Sequence, residues 1–141
     1  MKTFEIRNQS SDVKIYALAD TYEELFSVAL EGLCELLLPD NKLLDLEFDY
    51  SKSIVIESVD ISTLLVDFLS YALSMMQKNK ALFPKLEIKE LSNDYLKGNI
   101  HGYPQENFNP MIKSISYHST EIFPTKDNKF EVTIVPEIQN I

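Results

Sequence analysis

Two acidic residues near opposite ends of the chain, Asp12 and Glu137, are of the type that holds a hard cation. Such ions take oxygen ligands and need carboxylates to offset their charge. Asp12 follows Asn8-Gln9-Ser10-Ser11, where spacing alone favours a turn residue bonding its own backbone. Glu137 precedes the acceptor-rich Gln139-Asn140, where spacing alone favours an exposed charge near the end of the chain. Sequence distance does not bring the two together. Lys113 and His118 frame a second group, Lys113-Ser114-Ile115-Ser116-Tyr117-His118. An imidazole can exchange a proton near neutral pH. Lys113 and His118 are an odd number of residues apart, so a regular strand turns them to opposite faces unless a bulge intervenes. Cys34 with His101 or His118 would make a nucleophile and base. Cys34 has apolar neighbours at helical spacing, which argues for a buried, inert thiol.

The remaining catalytic patterns are missing. The glycines are Gly32, Gly98 and Gly102, so there is no Gly-rich phosphate cradle. No CxxC or HExxH offers a closed zinc site, and no GxSxG offers a serine elbow. The chain is therefore expected not to be an enzyme.

Composition narrows the classes further. The chain has 141 residues, the usual size of one domain, and no repeat, low-complexity tract or flexible linker divides it. The expectation is one domain over residues 1–141. The net charge is −9 and Arg7 is the only arginine. Gripping nucleic acid requires cations that neutralise phosphates, so direct nucleic-acid binding is not expected. An acidic domain suits a hard cation or a basic partner instead. Residues 1–9 lack the apolar stretch of a secretion signal, and no run approaches the roughly 18 apolar residues of a spanning helix. No membrane association and a cytoplasmic location follow.

These candidates need elements to position them. Val13, Ile15, Ala17 and Ala19 alternate as one face of a strand. Thr21 and Glu24 fit a capping box, and Leu25, Val28, Ala29, Gly32, Leu33 and Leu36 recur at helical spacing until Pro39 stops the helix near Leu38. After Asp49-Tyr50-Ser51, the β-branched run 54–59 predicts a strand. Asp60 or Ser62 can cap a second helix carrying Leu64, Leu65, Phe68, Leu69, Ala72, Leu73 and Met76, apolar on more than one stripe and hence heavily buried. Lys85–Lys89 alternates, Ser92-Asn93-Asp94 turns, and Leu96, Gly98 and Ile100 form one face of a returning strand. Residues 102–110 read as a loop with two prolines and 111–123 as a strand. Lys126-Asp127-Asn128 turns into a last strand with Phe130, Val132 and Ile134 on one face. Strand runs with two helices among them predict an α+β fold, the helices packed on mostly antiparallel sheet.

Four segments, in order, resemble the archease family. Asp12 stands where the family has an aspartate entering a strand, although Gln9-Ser10-Ser11 replaces the residues that precede it there, a histidine among them. Tyr22-Glu23-Glu24-Leu25-Phe26 is similar to the family's first helix start, and Leu64-Leu65-Val66-Asp67-Phe68-Leu69 to its second helix. Lys113-Ser114-Ile115-Ser116-Tyr117-His118 and Val135-Pro136-Glu137-Ile138 are similar to its closing strands, with Glu137 in place of an aspartate.

The resemblance implies an α+β body with an inserted strand-helix-strand-strand element. It also implies a non-catalytic accessory protein that promotes guanylylation and turnover of an RNA-splicing ligase in tRNA splicing and RNA repair. The ligase is then the protein partner. Carried over residue by residue, it implies a divalent metal, calcium by resemblance, on Asp12, Glu137 and the Ile138 carbonyl. Lys113, Asp67 and His118 become candidate partner contacts. Here Gln139-Asn140-Ile141 follows Ile138, so Ile138 offers no terminal carboxylate, and Pro136 fits an edge strand. Two other readings compete: a ligand-binding or scaffolding module of the same fold with no ligase partner, and a hydrolase or nucleotidyl-transfer enzyme, for which the residues offer least.

Overall fold

The computed structural model describes residues 3–9, 12–38, 48–108, 111–118 and 120–138, without the side chains of Asn8, Gln9 and Asp12. Alternation and capping account for most of it. Strand β1 (Thr3–Gln9) runs antiparallel to β2 (Asp12–Ala19), and β2 leads into helix α1 (Tyr22–Leu37). Thr21 caps α1 as expected, its hydroxyl accepting from the Glu24 N–H at 3.1 Å. Pro39, read as the stop, lies outside the described residues.

Strand β3 (Tyr50–Glu57), helix α2 (Ile61–Asn79) and strands β4 (Ala81–Leu91) and β5 (Tyr95–Pro104) follow. They form the strand-helix-strand-strand element, with their own sheet in the order β3-β5-β4. Asp60 rather than Ser62 is the cap of α2: its Oδ1 accepts from the Thr63 N–H at 2.8 Å, which holds the Asp60 carboxyl below its ordinary range. Lys80 ends the helix in the left-handed region, with φ 50°. Strands β6 (Ile112–Ile115), β7 (Phe123–Pro124), β8 (Phe130–Ile134) and β9 (Pro136–Ile138) complete the chain. Strands β8 and β7 extend the first hairpin into a sheet ordered β1-β2-β8-β7, and β6 pairs with β9. All described pairings are antiparallel, and the fold is α+β.

Helix α1 packs on β1, β2 and β8 and also against β4, which links the two larger sheets. Gly32 lets it press onto the first of them, because a Cβ there would come within 2.7 Å of Ile15. Helix α2 packs on β4, β6, β3 and β5 and meets α1. Phe26 and Phe68 stack between the helices at 5.9 Å, and Leu33, Leu65, Leu69, Ile15, Ile54, Ile100 and Ile134 complete a fully buried core around them. Each such side chain contributes about 1.5–3 kcal/mol by leaving water.

Several boundaries differ from the sequence reading. Strand β1 was not expected; two half-buried apolar residues, Phe4 and Ile6, are a short alternation signal. Strand β3 begins inside the expected separator, at Tyr50, and ends at Glu57 rather than Val59, which is exposed. Strand β4 starts at Ala81, well before Lys85, and β5 continues to Pro104, into the first residues of the expected loop. Gly102 lies within β5 because the β4 backbone comes so close that a Cβ would meet the Leu82 carbonyl at 1.6 Å. The strand expected over 111–123 ends at Ile115. Beyond it, hydroxyls take over the backbone: the Thr120 Oγ1 donates to the Ser116 carbonyl, and the Ser116 Oγ accepts from the His118 N–H.

Candidate functional site

Strands β6 and β9 gather three of the candidate residues. Ile112 pairs with Ile138, Ser114 with Glu137 and Ile115 with Pro136. Between the first two pairs the register shifts, so Lys113 is the extra residue of a bulge beside Glu137 and Ile138. Lys113 and Glu137 are both exposed. The bulge and the early end of β6 also remove the regular strand on which Lys113 and His118 were placed on opposite faces. His118 is exposed in the turn that follows, not on the strand.

Asp12 opens β2, with Gln9 at the end of β1 as its cross-strand neighbour. Its side chain lies outside the described residues. Among the described residues, no three of His, Cys, Asp and Glu come together as metal ligands.

Asp67 has a definite structural duty. It is half-buried on α2, and its two carboxylate oxygens accept from the hydroxyls of Ser58 and Tyr117. One oxygen therefore ties α2 to the end of β3 and the other to the segment after β6. The bond to Asp67 raises the Tyr117 phenol above its ordinary range, with partial burial adding to it. Two further α2 side chains hold the same segment. Gln77 donates to the Ile112 carbonyl at 2.9 Å, and the Ser62 hydroxyl accepts from the Ile122 N–H at 2.9 Å. Helix α2 is thus the frame on which the stretch bearing Lys113, Tyr117 and His118 is stretched. The sequence motif marked Asp67 without its partners; Ser58 and Tyr117 carried no separate signal, because bonds between residues nine and fifty positions apart leave no periodicity.

The cysteine pairing is not formed. Cys34 is fully buried, its Sγ donates to the Met76 sulfur at 3.7 Å, and burial pushes its thiol far up. Both ring nitrogens of His101 are engaged elsewhere, by Ser51 and Glu87.

An α+β body whose strand-helix-strand-strand element carries α2 against a β6–β9 pair is the class this geometry defines. The sequence signature of the archease protein family matches residues 4–138. The chain belongs to that family. Protein archease of Pyrococcus furiosus is 26% identical, covering 98% of this chain and 100% of its own. That of Methanosarcina mazei is 24% identical, covering 88% of each. Among solved structures, protein 1598 of Methanobacterium thermoautotrophicum superposes with a TM-score of 0.71 at 22% identity, over 95% of this chain and 97% of its own. A Thermotoga maritima protein described as an archease and possible chaperone gives 0.63 at 18% identity, over 94% and 98%. Among the described residues, no helix is long and apolar enough to cross a membrane.

Proposed function

We propose that this protein is a non-catalytic accessory factor acting in the cytoplasm, which binds an RNA-splicing ligase and promotes its guanylylation and turnover in tRNA splicing and RNA repair. Family membership over nearly the whole chain supports an accessory role, and the Thermotoga relative's description as a possible chaperone fits a protein partner. The observation that carries the reading is the β6–β9 pairing, which brings Lys113 beside Glu137 and Ile138, with Lys113 and Glu137 exposed.

In this reading the group extends to Asp12. Strands β2 and β8 pair Ile15 with Ile134, and β9 follows β8 and lies beside β2. Continued three residues beyond its last pair, the same register would set Asp12 opposite Glu137. Opposed residues of an antiparallel pair are about 4.5–5.5 Å apart at Cα. Asp12, Glu137 and the Ile138 carbonyl would then hold a divalent cation, calcium by the family resemblance: all are hard oxygens, and two carboxylates offset the charge. The ion would supply a positive centre on the surface offered to the partner. Lys113 and His118 are the direct contacts in this reading. Asp67, occupied by Ser58 and Tyr117, positions the segment that presents them.

Calorimetry with calcium and magnesium on wild type, Asp12→Ala and Glu137→Ala tests the ion. Saturable binding lost in both variants is expected. Equal binding by all three proteins removes this site.

A further inference from the structure

We propose that Ser51 is an activated serine, with His101 as its general base, that takes an acyl group from an activated carboxylic ester. None of the residues involved belongs to the β6–β9 site. Strand β5 lies between β3 and β4, and register sets Ser51, His101 and Lys85 in one row across the three strands. The next row carries Ser53, Asn99 and Glu87. The neighbouring residues Ile54, Ile56, Leu86 and Ile100 point the other way, into the core, so both polar rows face outward.

Within these rows the bonds form a directed relay. The Ser51 Oγ lies 2.6 Å from His101 Nδ1, and His101 Nε2 lies 3.0 Å from Glu87 Oε1. A carboxylate only accepts, and the bonds from His101 and Asn99 hold the Glu87 carboxyl below its ordinary range. In the neutral imidazole the proton therefore resides on Nε2, and the Nδ1 lone pair faces the serine hydroxyl, which donates to it. Glu87 is held in place in turn: Asn99 Nδ2 donates to it at 3.3 Å, and Asn99 Oδ1 accepts from the Ser53 hydroxyl at 3.1 Å. Serine, imidazole and carboxylate are connected in the order that nucleophilic acyl transfer uses.

Two features serve the charge that develops. Lys85 places a cationic residue on the same face and in the same row, across His101 from Ser51, where it adds to the positive field of the row. Among the described residues β3 pairs on one side only, so it is an edge strand presenting N–H groups that the ladder does not use. Such donors on an edge strand suit an oxyanion. The face is open to water, so the step is a stoichiometric acylation with slow release rather than rapid turnover.

The step balances within these groups. Ser51 Oγ bonds to the acyl carbon as its proton passes to His101 Nδ1. The bond from that carbon to the ester oxygen breaks, and the alcohol portion leaves with the electron pair. The imidazolium then returns its proton to water.

The test uses the full chain with p-nitrophenyl acetate at neutral pH, read by intact mass and peptide mapping. One acetyl group on Ser51 is expected, formed at least about tenfold more slowly in His101→Gln. Ser51→Ala should lose that label and keep only lysine background. Glu87 acts through the imidazole, faced also by Lys85 from β4, by Ser51 from β3 and by Asn99 on its own strand. Glu87→Gln should accordingly move the midpoint of the pH–rate profile to lower pH, which a change in folding would not do. All three substitutions are on a solvent face, and circular dichroism verifies that the variants fold. Acetylation confined to lysines, or equal labelling of Ser51 with and without His101, overturns the proposal.

Discussion

Replacing Asp67 by alanine separates a positioning residue from a partner contact. The substitution removes the acceptor of two hydroxyl bonds at once, those of Ser58 and Tyr117. A hydrogen bond to a charged group contributes about 1.5–3 kcal/mol when water cannot replace it. Tyr117 is 57% exposed, so water recovers most of its share, whereas Ser58 is half-buried. The expected loss is about 1–3 kcal/mol, or roughly 3–10 °C in Tm for a chain of this length. Tyr117→Phe cuts one of the two bonds from the other side and should cost about 0.5–1 kcal/mol. In the double variant the losses should fall short of additivity by about 0.5 kcal/mol or more, because the pair shares one bond. Urea unfolding gives all four stabilities, and ligase guanylylation gives the functional readout. If Asp67 positions the segment after β6, Tyr117→Phe impairs activation in the same direction as Asp67→Ala. Normal stability in Asp67→Ala, or lost activation in Asp67→Ala alone, would refute the reasoning and return Asp67 to the contact surface.

Three other outcomes follow from the same structure. Asp60→Ala removes the side-chain cap of α2 and should cost about 1 kcal/mol in chemical denaturation, with function retained at low temperature. Gly102→Ala drives a Cβ into the Leu82 carbonyl and should destabilise by about 3 kcal/mol or more, seen as a large drop in Tm or failure to fold. The raised Tyr117 phenol makes stability depend on alkaline pH. The fold favours the protonated phenol, so its contribution is complete below the unfolded value of about 10 and is lost as pH rises through the higher folded value. Unfolding compared between wild type and Tyr117→Phe from about pH 8 to 11 should show the advantage of wild type shrinking, and a constant difference would contradict it.

What could be read from sequence divides by range. Local chemistry was legible: Thr21 and Asp60 cap their helices, Leu96, Gly98 and Ile100 share a buried face, and Asn128 turns with φ 62°. Strand ends were less so, because they depend on partners. Strand β4 runs through Pro84, which a propensity argument excludes from a strand interior, and it does so because β5 pairs beyond it, at Ala81 and Leu82. The 111–123 stretch has the composition of one strand, yet Ser116 and Thr120 divert its backbone into local bonds. For the candidate site, ordered motifs marked Lys113, Asp67, His118, Glu137 and Asp12 as individuals. That Lys113 stands in a bulge against Glu137 and that Asp67 is bound at both oxygens depend on long-range pairings, which no local pattern encodes.

The central claim is ligase activation, and the direct measurement is guanylylation of the cognate RNA-splicing ligase with labelled GTP and a divalent metal, with and without this protein. The account predicts a faster and more complete labelling of the ligase, renewed over several rounds of ligation, and weakened by Lys113→Ala and Glu137→Ala. Labelling unchanged across a wide range of stoichiometries would contradict it.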